Sequence, residues 1–97
     1  MNEPLLRPAA AADLEEAAAW YEEQRPGLGL EFLEAVNLAM KRVMATPKGA
    51  ALVYKDRRRV FLERFPYSLV YRLIDEQVVI LAAAHAKRSP RMWRRRE

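Results

Sequence analysis

The sequence predicts an α+β domain in which an N-terminal antiparallel helical hairpin packs on a small antiparallel β-sheet. In the first half, apolar residues recur at helical spacing, whereas in the second half they form short alternating or continuous runs. Helices followed by a series of strands are typical of the α+β class. The 97 residues, 52% of them hydrophobic, are enough for one packed core and too few for two. Residues 1–97 are therefore predicted to form a single domain.

The first half is predicted to form two helices after a short strand at residues 5–7. Strong helix formers fill residues 9–24, where apolar side chains recur at i, i+3, i+4 and i+7, and a Pro-Gly pair stops the helix. A second apolar stripe predicts a helix over residues 30–45, which ends before a proline because the residue preceding proline avoids the helical region. The short connection at residues 25–29 makes the two helices antiparallel neighbours.

The second half is predicted to form four strands, at residues 52–54, 60–65, 67–74 and 78–84. Residues 67–74 alternate in a way that gives one clearly apolar face. Residues 78–84 are apolar on both faces, which suits a central strand. Short turns, such as the one at residues 75–77, predict antiparallel pairing of neighbouring strands.

Charge is divided unequally along the chain. Residues 1–47 carry 4 basic and 8 acidic side chains, a net charge of −4, whereas residues 48–97 carry 13 basic and 5 acidic ones, a net charge of +8. Such segregation produces a field that attracts acidic partners. Most of these cations are arginines, which pair bidentately with phosphate and carboxylate. The second half is therefore predicted to carry a surface for a macromolecular partner.

Several classes of protein are disfavoured by the residues present. There is no cysteine for disulfides or thiolate sites, no glycine-rich phosphate loop, and no His/Asp/Glu set with metal-ligand spacing, so we expect neither a metal nor a cofactor. No apolar run approaches the ~20 residues that span a bilayer, and the N-terminus lacks the features of a signal peptide. We expect a cytoplasmic protein that does not enter membranes.

One kind of catalysis, the cleavage of RNA, is compatible with the residues present. The single histidine, His85, has no orienting partner that the sequence reveals, which favours a structural or partner-contacting role. RNA, however, can be cleaved by its own 2′-hydroxyl, so that cations and a proton shuttle suffice. If the protein is a ribonuclease, His85, Arg88 and Arg59 are the candidate catalytic residues.

Four segments of the chain form a series of recognisable motifs. They are Asp13-Leu14-Glu15-Glu16-Ala17 with Trp20-Tyr21, Gly29-Leu30-Glu31-Phe32-Leu33, Phe65-Pro66-Tyr67-Ser68-Leu69-Val70-Tyr71-Arg72, and the C-terminal His-x-x-Arg-x-Pro-x-x-Trp from His85 to Trp93. In this order they resemble the RelE/ParE superfamily of bacterial toxins over nearly the whole chain. The resemblance implies the toxin of a type II toxin–antitoxin pair. It also implies a hetero-oligomer with an acidic antitoxin of the ParD or RelB type.

The superfamily divides by target, and the resemblance is closer to the ParE-like branch. RelE-like members cut mRNA in the ribosomal A site, whereas ParE-like members inhibit DNA gyrase without hydrolysing a substrate. At three positions where the ribonuclease branch has cations, this chain has Arg59, Phe61 and Ser68. Loss of cations from a site that stabilises phosphorane charge disfavours cleavage. We therefore expect a gyrase inhibitor. The alternatives are a ribosome-dependent mRNA interferase and a non-toxic relative that retains antitoxin binding.

The residues expected to contact the antitoxin or the target lie in the basic second half. They are Arg57, Arg58, Arg59, Arg64, Arg72, Lys87, Arg88, Trp93, Arg94 and Arg95. A hydrophobic groove between the helices and the sheet is expected to hold the antitoxin. Trp93 has the alternative role of capping the sheet edge or the helical hairpin, because a buried tryptophan anchors a small core. The three arginines from Arg94 have the alternative of being a frayed chain end.

Overall fold

The computed structural model describes residues 3–97 and confirms the α+β class. The elements in chain order are β1 (Leu5–Leu6), α1 (Pro8–Gln24), α2 (Leu28–Ala45), β2 (Ala51–Tyr54), β3 (Arg57–Phe61), β4 (Tyr67–Ile74), β5 (Gln77–His85) and α3 (Arg91–Arg94). The sheet has the order β1-β5-β4-β3-β2. Strands β2 to β5 form the predicted antiparallel meander, and β1 joins β5 in parallel, so the complete sheet is mixed. No helix within residues 3–97 is long and apolar enough to span a bilayer.

The two long helices begin slightly earlier than the sequence predicts. α1 starts at Pro8, because proline is tolerated where the backbone N–H has no helical partner. α2 starts at Leu28, directly after Gly27, whose φ of 91° is in the left-handed region that favours glycine. The Glu22 carboxylate of α1 accepts the N–H groups of Gly27 and Gly29, each at 3.0 Å. This contact fixes the hairpin at its turn.

The third strand differs from its predicted position, which was residues 60–65. β3 instead begins at Arg57, because its arginines pair with β2 on one side and β4 on the other. After Phe61 the chain leaves the sheet, and Leu62 and Phe65 are buried in the core beneath the helices. The arginines at 57, 58 and 59 therefore alternate between the two faces of the sheet.

Apolar packing covers both faces of the sheet. On one face, α1 and α2 enclose an aromatic cluster in which the rings of Tyr21 and Phe32 stack at 5.2 Å. On the other face, Trp93 packs on the small side chains of Ala82 and Ala84 and on Val70. The two alanines leave room for the indole ring directly above the strand. The C-terminal segment is therefore a third layer of the domain.

Candidate partner interface

The C-terminal segment, residues 86–97, crosses the face of the sheet opposite the helical hairpin. Its anchor is Trp93, which is 3% exposed and whose ring lies 6.4 Å from that of Tyr54 in an edge-to-face arrangement. The predicted contact of Trp93 with a partner does not fit this burial. The alternative prediction, that Trp93 has a structural capping role, is closer to the observation. Trp93 covers the face of the sheet, however, and not the sheet edge or the helical hairpin.

A clasp made by Arg96 and Asp13 holds the end of the C-terminal segment. The Arg96 guanidinium donates to the Asp13 carboxylate at 2.6 Å and to the carbonyl oxygen of Leu81 at 3.1 Å. Asp13 also accepts the N–H of Ala83 at 3.1 Å. β1 pairs with β5 only at Val79 and Ile80, so Leu81 and Ala83 lie on the strand edge that β1 leaves open. The clasp thus gives the Leu81 carbonyl oxygen and the Ala83 N–H at this edge their hydrogen-bond partners. The chain end is therefore held on the sheet and is not frayed.

Arg57 belongs to the same internal network. It is 8% exposed and donates to the Asp56 carboxylate and to the carbonyl oxygen of Arg96, each at 2.7 Å. Arg72 donates to the other carboxylate oxygen of Asp56 at 2.8 Å. Burial alone would raise the pKa of Asp56, but the hydrogen bonds from Arg57 and Arg72 outweigh it and hold this pKa below its ordinary value.

Arg58 and Arg64 are also engaged within the fold. Arg58 donates to the carbonyl oxygens of Lys48 and Ala50 at 3.0 and 2.7 Å, which fixes the loop before β2. Arg64 donates to the Glu31 carboxylate at 2.8 Å, beside Arg25. The hydrogen bonds from Arg64 and then Arg25 lower the pKa of Glu31. Four of the arginines predicted to bind a partner, at positions 57, 58, 64 and 72, thus have acceptors within the domain itself.

The remaining predicted cations have side chains with no hydrogen bond or ion pair to any residue in the range 3–97. They are Arg59, Lys87, Arg88, Arg94 and Arg95. Arg91, which the motifs do not single out, joins them, and its three-residue spacing from Arg88 and Arg94 is the signal that could identify it. We call Lys87, Arg88, Arg91, Arg94 and Arg95 the basic strip. All five residues are exposed.

Arg59 lies apart from the basic strip, on β3. It pairs with Val70 in the register of β3 and β4, so it is on the same face as Trp93. Its guanidinium lies 4.9 Å from the ring centre of Phe61, which is 57% exposed. Its Nε is buried and has no hydrogen-bond partner among residues 3–97. Arg59 and Phe61 therefore form a second feature, in which a half-buried cation without an ion pair lies next to an exposed aromatic ring.

The three candidate catalytic residues do not come together. His85 and Arg88 line a polar cavity of about 30 Å³ on the helical side of the sheet, together with Tyr67 and Glu16. Burial raises the pKa of the Tyr67 hydroxyl, and Glu16 acts in the same direction, whereas Arg88 opposes them. The Nδ1 atom of His85 accepts the N–H of Lys87 at 3.0 Å. Arg59 lies on the opposite face of the sheet.

A groove lies between β1 and α2. It has a volume of about 500 Å³, and its apolar lining includes Leu6, Met40 and Met44. Lys41 stands at its wall and is exposed. We call it the α2–β1 groove.

Three comparisons with known proteins give consistent results. Residues 5–90 match the family described as ParE toxin of type II toxin-antitoxin system, parDE. Two relatives named Toxin ParE2, from Mycobacterium tuberculosis strains CDC 1551 / Oshkosh and ATCC 25618 / H37Rv, are 34% identical over 82 residues, covering 80% of this chain and 75% of each relative. The solved structure titled "Chromosomal ParDE TA system from P. aeruginosa" has a TM-score of 0.77 and 24% identity, over 88% of this chain and 96% of that one. It shows the same fold.

Proposed function

This chain belongs to the ParE toxin family of type II toxin–antitoxin systems, and from that premise we propose that it inhibits DNA gyrase by binding, without hydrolysing a substrate. The observation that carries the proposal is the separation of the candidate ribonuclease residues. Arg59 lies on one face of the sheet and His85 on the other. A general acid or base must lie within about 3 Å of the group that it serves, and a phosphate contacted by both residues would have to reach both faces.

Two further positions support a binding role. Where the ribonuclease branch has cations, Phe61 presents an exposed ring and Ser68 is 4% exposed. Neither side chain carries the positive charge that would stabilise a pentavalent phosphorus transition state electrostatically. Because gyrase acts on chromosomal DNA, the proposal places the action of the toxin in the cytoplasm.

The test is a supercoiling assay with purified toxin and gyrase. We expect inhibition, with cleaved DNA trapped on gyrase, and we expect His85→Ala to inhibit as well as the wild type because no chemical step depends on it. Undiminished supercoiling at a large molar excess of correctly folded toxin would refute the proposal. Addition of the cognate antitoxin should restore supercoiling.

Membership of a parDE family implies an antitoxin partner, and we propose that it binds in the α2–β1 groove. The groove offers apolar surface from Leu6, Met40 and Met44, and Lys41 can pair with an acidic side chain of the partner. Lys41→Glu should weaken the complex and reduce the thermal stabilisation that the antitoxin gives the toxin. The matched control is Lys55→Glu, an exposed charge reversal in the turn after β2. Equal stabilisation of both variants would contradict this placement.

A second candidate function, ribosome-dependent mRNA cleavage, is favoured by one observation. His85, Arg88, Tyr67 and Glu16 meet at one cavity and supply an acid or base, a cation and a hydroxyl group. If this cavity is catalytic, mRNA on translating ribosomes should be cut by the wild type and remain intact with His85→Ala. Intact mRNA with the wild-type toxin would exclude this function.

A further inference from the structure

The basic strip is a concentration of charge without an ion pair among residues 3–97, although Arg88 lines a cavity with Glu16 and the Arg94 guanidinium lies 5.1 Å from the ring centre of Tyr54. Its five cations fall within nine residues, and the sequence has no Asp or Glu between Glu76 and Glu97. Several arginines elsewhere have carboxylate partners: Arg25 and Arg64 share Glu31, and Arg72 pairs with Asp56. The strip differs in that none of its side chains has an acceptor among residues 3–97. Such unpaired, exposed cations raise the local concentration of anions.

The backbone of the strip is also held in place from residue 89 onward by its inward-facing neighbours. The backbone N–H of Met92 donates to Ser89 and that of Arg94 donates to Pro90, so the chain turns helically from residue 89 onward. In a helix, residues three or four apart lie about 5–6 Å apart at Cβ, which places Arg91 beside Arg94 and Arg95. Burial of Trp93 and the Arg96–Asp13 clasp fix this turn on the sheet. A partner that binds the strip therefore orders few additional residues, which lowers the entropic cost of binding.

The chemistry of the strip favours nucleic acid over protein. A protein interface has apolar or aromatic anchors near its centre, but the large apolar residues of the C-terminal segment are Met92 and Trp93. Trp93 is buried beneath the strip, and Met92 is half-buried and lines the cavity of His85. What remains on the outside is a row of cations without an apolar centre. A row of this kind matches the repeated charge of a phosphate backbone.

We propose that the basic strip binds the phosphate backbone of duplex DNA, independently of base sequence, so that the toxin contacts the DNA held by gyrase as well as the enzyme. The choice of DNA rests on the proposed function, since gyrase holds a DNA duplex. Each neutralised phosphate contributes about −0.9 to the slope of log affinity against log salt. Five contacts give a slope of about −4.5, so the affinity should fall about 500-fold between about 50 and 200 mM salt.

The experiment measures the binding of the full chain to a short labelled DNA duplex by fluorescence anisotropy over a range of salt, without gyrase. Arg91→Gln/Arg94→Gln should weaken binding and reduce the magnitude of the slope by about 1.8, which corresponds to two phosphate contacts. The matched control, Arg25→Gln/Arg64→Gln, removes the same charge from the Glu31 network at the helical hairpin. Circular dichroism verifies that both variants are folded. A second duplex of unrelated sequence should bind equally well.

Three results would overturn the inference: no DNA binding at low salt, an equal loss in both double variants, or tighter binding to single-stranded RNA than to duplex DNA. The outcome is separable from that of the gyrase proposal. A strip variant that no longer binds DNA but still inhibits gyrase fully would support DNA binding by the strip, refute its contribution to gyrase inhibition, and leave the proposed function intact. Strip-dependent DNA binding by a toxin that leaves supercoiling unaffected would support the inference and refute the proposed function.

Discussion

Removal of the Arg96–Asp13 clasp is the sharpest test of how the C-terminal segment is held. Asp13→Ala leaves the N–H of Ala83 without its acceptor and the Arg96 guanidinium without its carboxylate. Both partners of the ion pair are mostly buried, with side-chain exposures of 25% for Arg96 and 17% for Asp13, so water screens the pair only partly. Hydrogen bonds to a charged group contribute about 1.5–3 kcal/mol.

The expected cost follows from these contacts. Alanine is a better helix former than aspartate by about 0.5 kcal/mol, which offsets part of the loss. Asp13→Ala should therefore lower the free energy of unfolding by about 2 kcal/mol. Arg96→Gln should cost about 1–2 kcal/mol, because glutamine can still donate to the Leu81 carbonyl. For a domain stable by about 5–15 kcal/mol, either change is a large fraction of the total.

The measurement is urea unfolding followed by far-ultraviolet circular dichroism for the two single variants and the double variant. We expect the double variant to cost less than the sum of the single ones by about 1 kcal/mol, since both remove the same contact. Glu15→Ala, at an exposed position of the same helix, is the control and should cost under about 0.5 kcal/mol. Single costs as small as that of the control, adding without coupling, would show that the chain end is free in solution and would refute the clasp.

Three further predictions concern the core, the pH dependence and the helical hairpin. Trp93→Ala should cost about 3–5 kcal/mol because it removes the anchor of the C-terminal layer, whereas Trp20→Ala, 55% exposed, should cost under about 1 kcal/mol in the same urea titration. Because the pKa of Asp56 is lowered in the folded state, its stabilising contribution is present above its ordinary value of 3.8 and is lost as the pH falls through the lower folded pKa. The stability gap between the wild type and Asp56→Asn should therefore narrow below pH 3.8, and a gap that does not change with pH would contradict the ion pairs of Asp56. Gly29→Ala should lower the melting temperature, because its Cβ would lie 2.7 Å from a backbone carbonyl oxygen of α1, and an unchanged melting temperature would mean that the helices can separate at no cost.

Most of the fold could be predicted from the sequence because apolar periodicity reports directly on which residues face a core. The hairpin of α1 and α2 and the strands β4 and β5 follow this rule. β3 does not, since three consecutive arginines carry no apolar pattern. Its position depends on the backbone groups that β2 and β4 offer on either side, and these are fixed only when the sheet forms.

The role of each arginine was harder to predict for a related reason. Arginine on a strand can bind a partner or an internal acceptor, and the acceptor is often distant in the chain. Arg57 donates to a carbonyl oxygen 39 residues away, and Arg96 to a carboxylate 83 residues away. A charge count therefore predicts a basic half correctly but cannot separate the cations that stabilise the fold from those that remain free.

The presence of cations without acceptors in the basic strip has a consequence for neutralisation of the toxin by its antitoxin. Five cations without ion pairs repel one another, and the burial of Trp93 and the clasp offset that repulsion. Any anion that binds the strip relieves the repulsion and stabilises the toxin by mass action.

An acidic antitoxin whose carboxylates reach the strip from the α2–β1 groove would therefore compete with DNA for the same charges. By linkage, DNA must then weaken antitoxin binding by the factor by which antitoxin weakens DNA binding. Titration of the toxin–antitoxin complex with duplex DNA should show this reciprocity for the wild type, and Arg91→Gln/Arg94→Gln should reduce it, because the shared charges are then fewer.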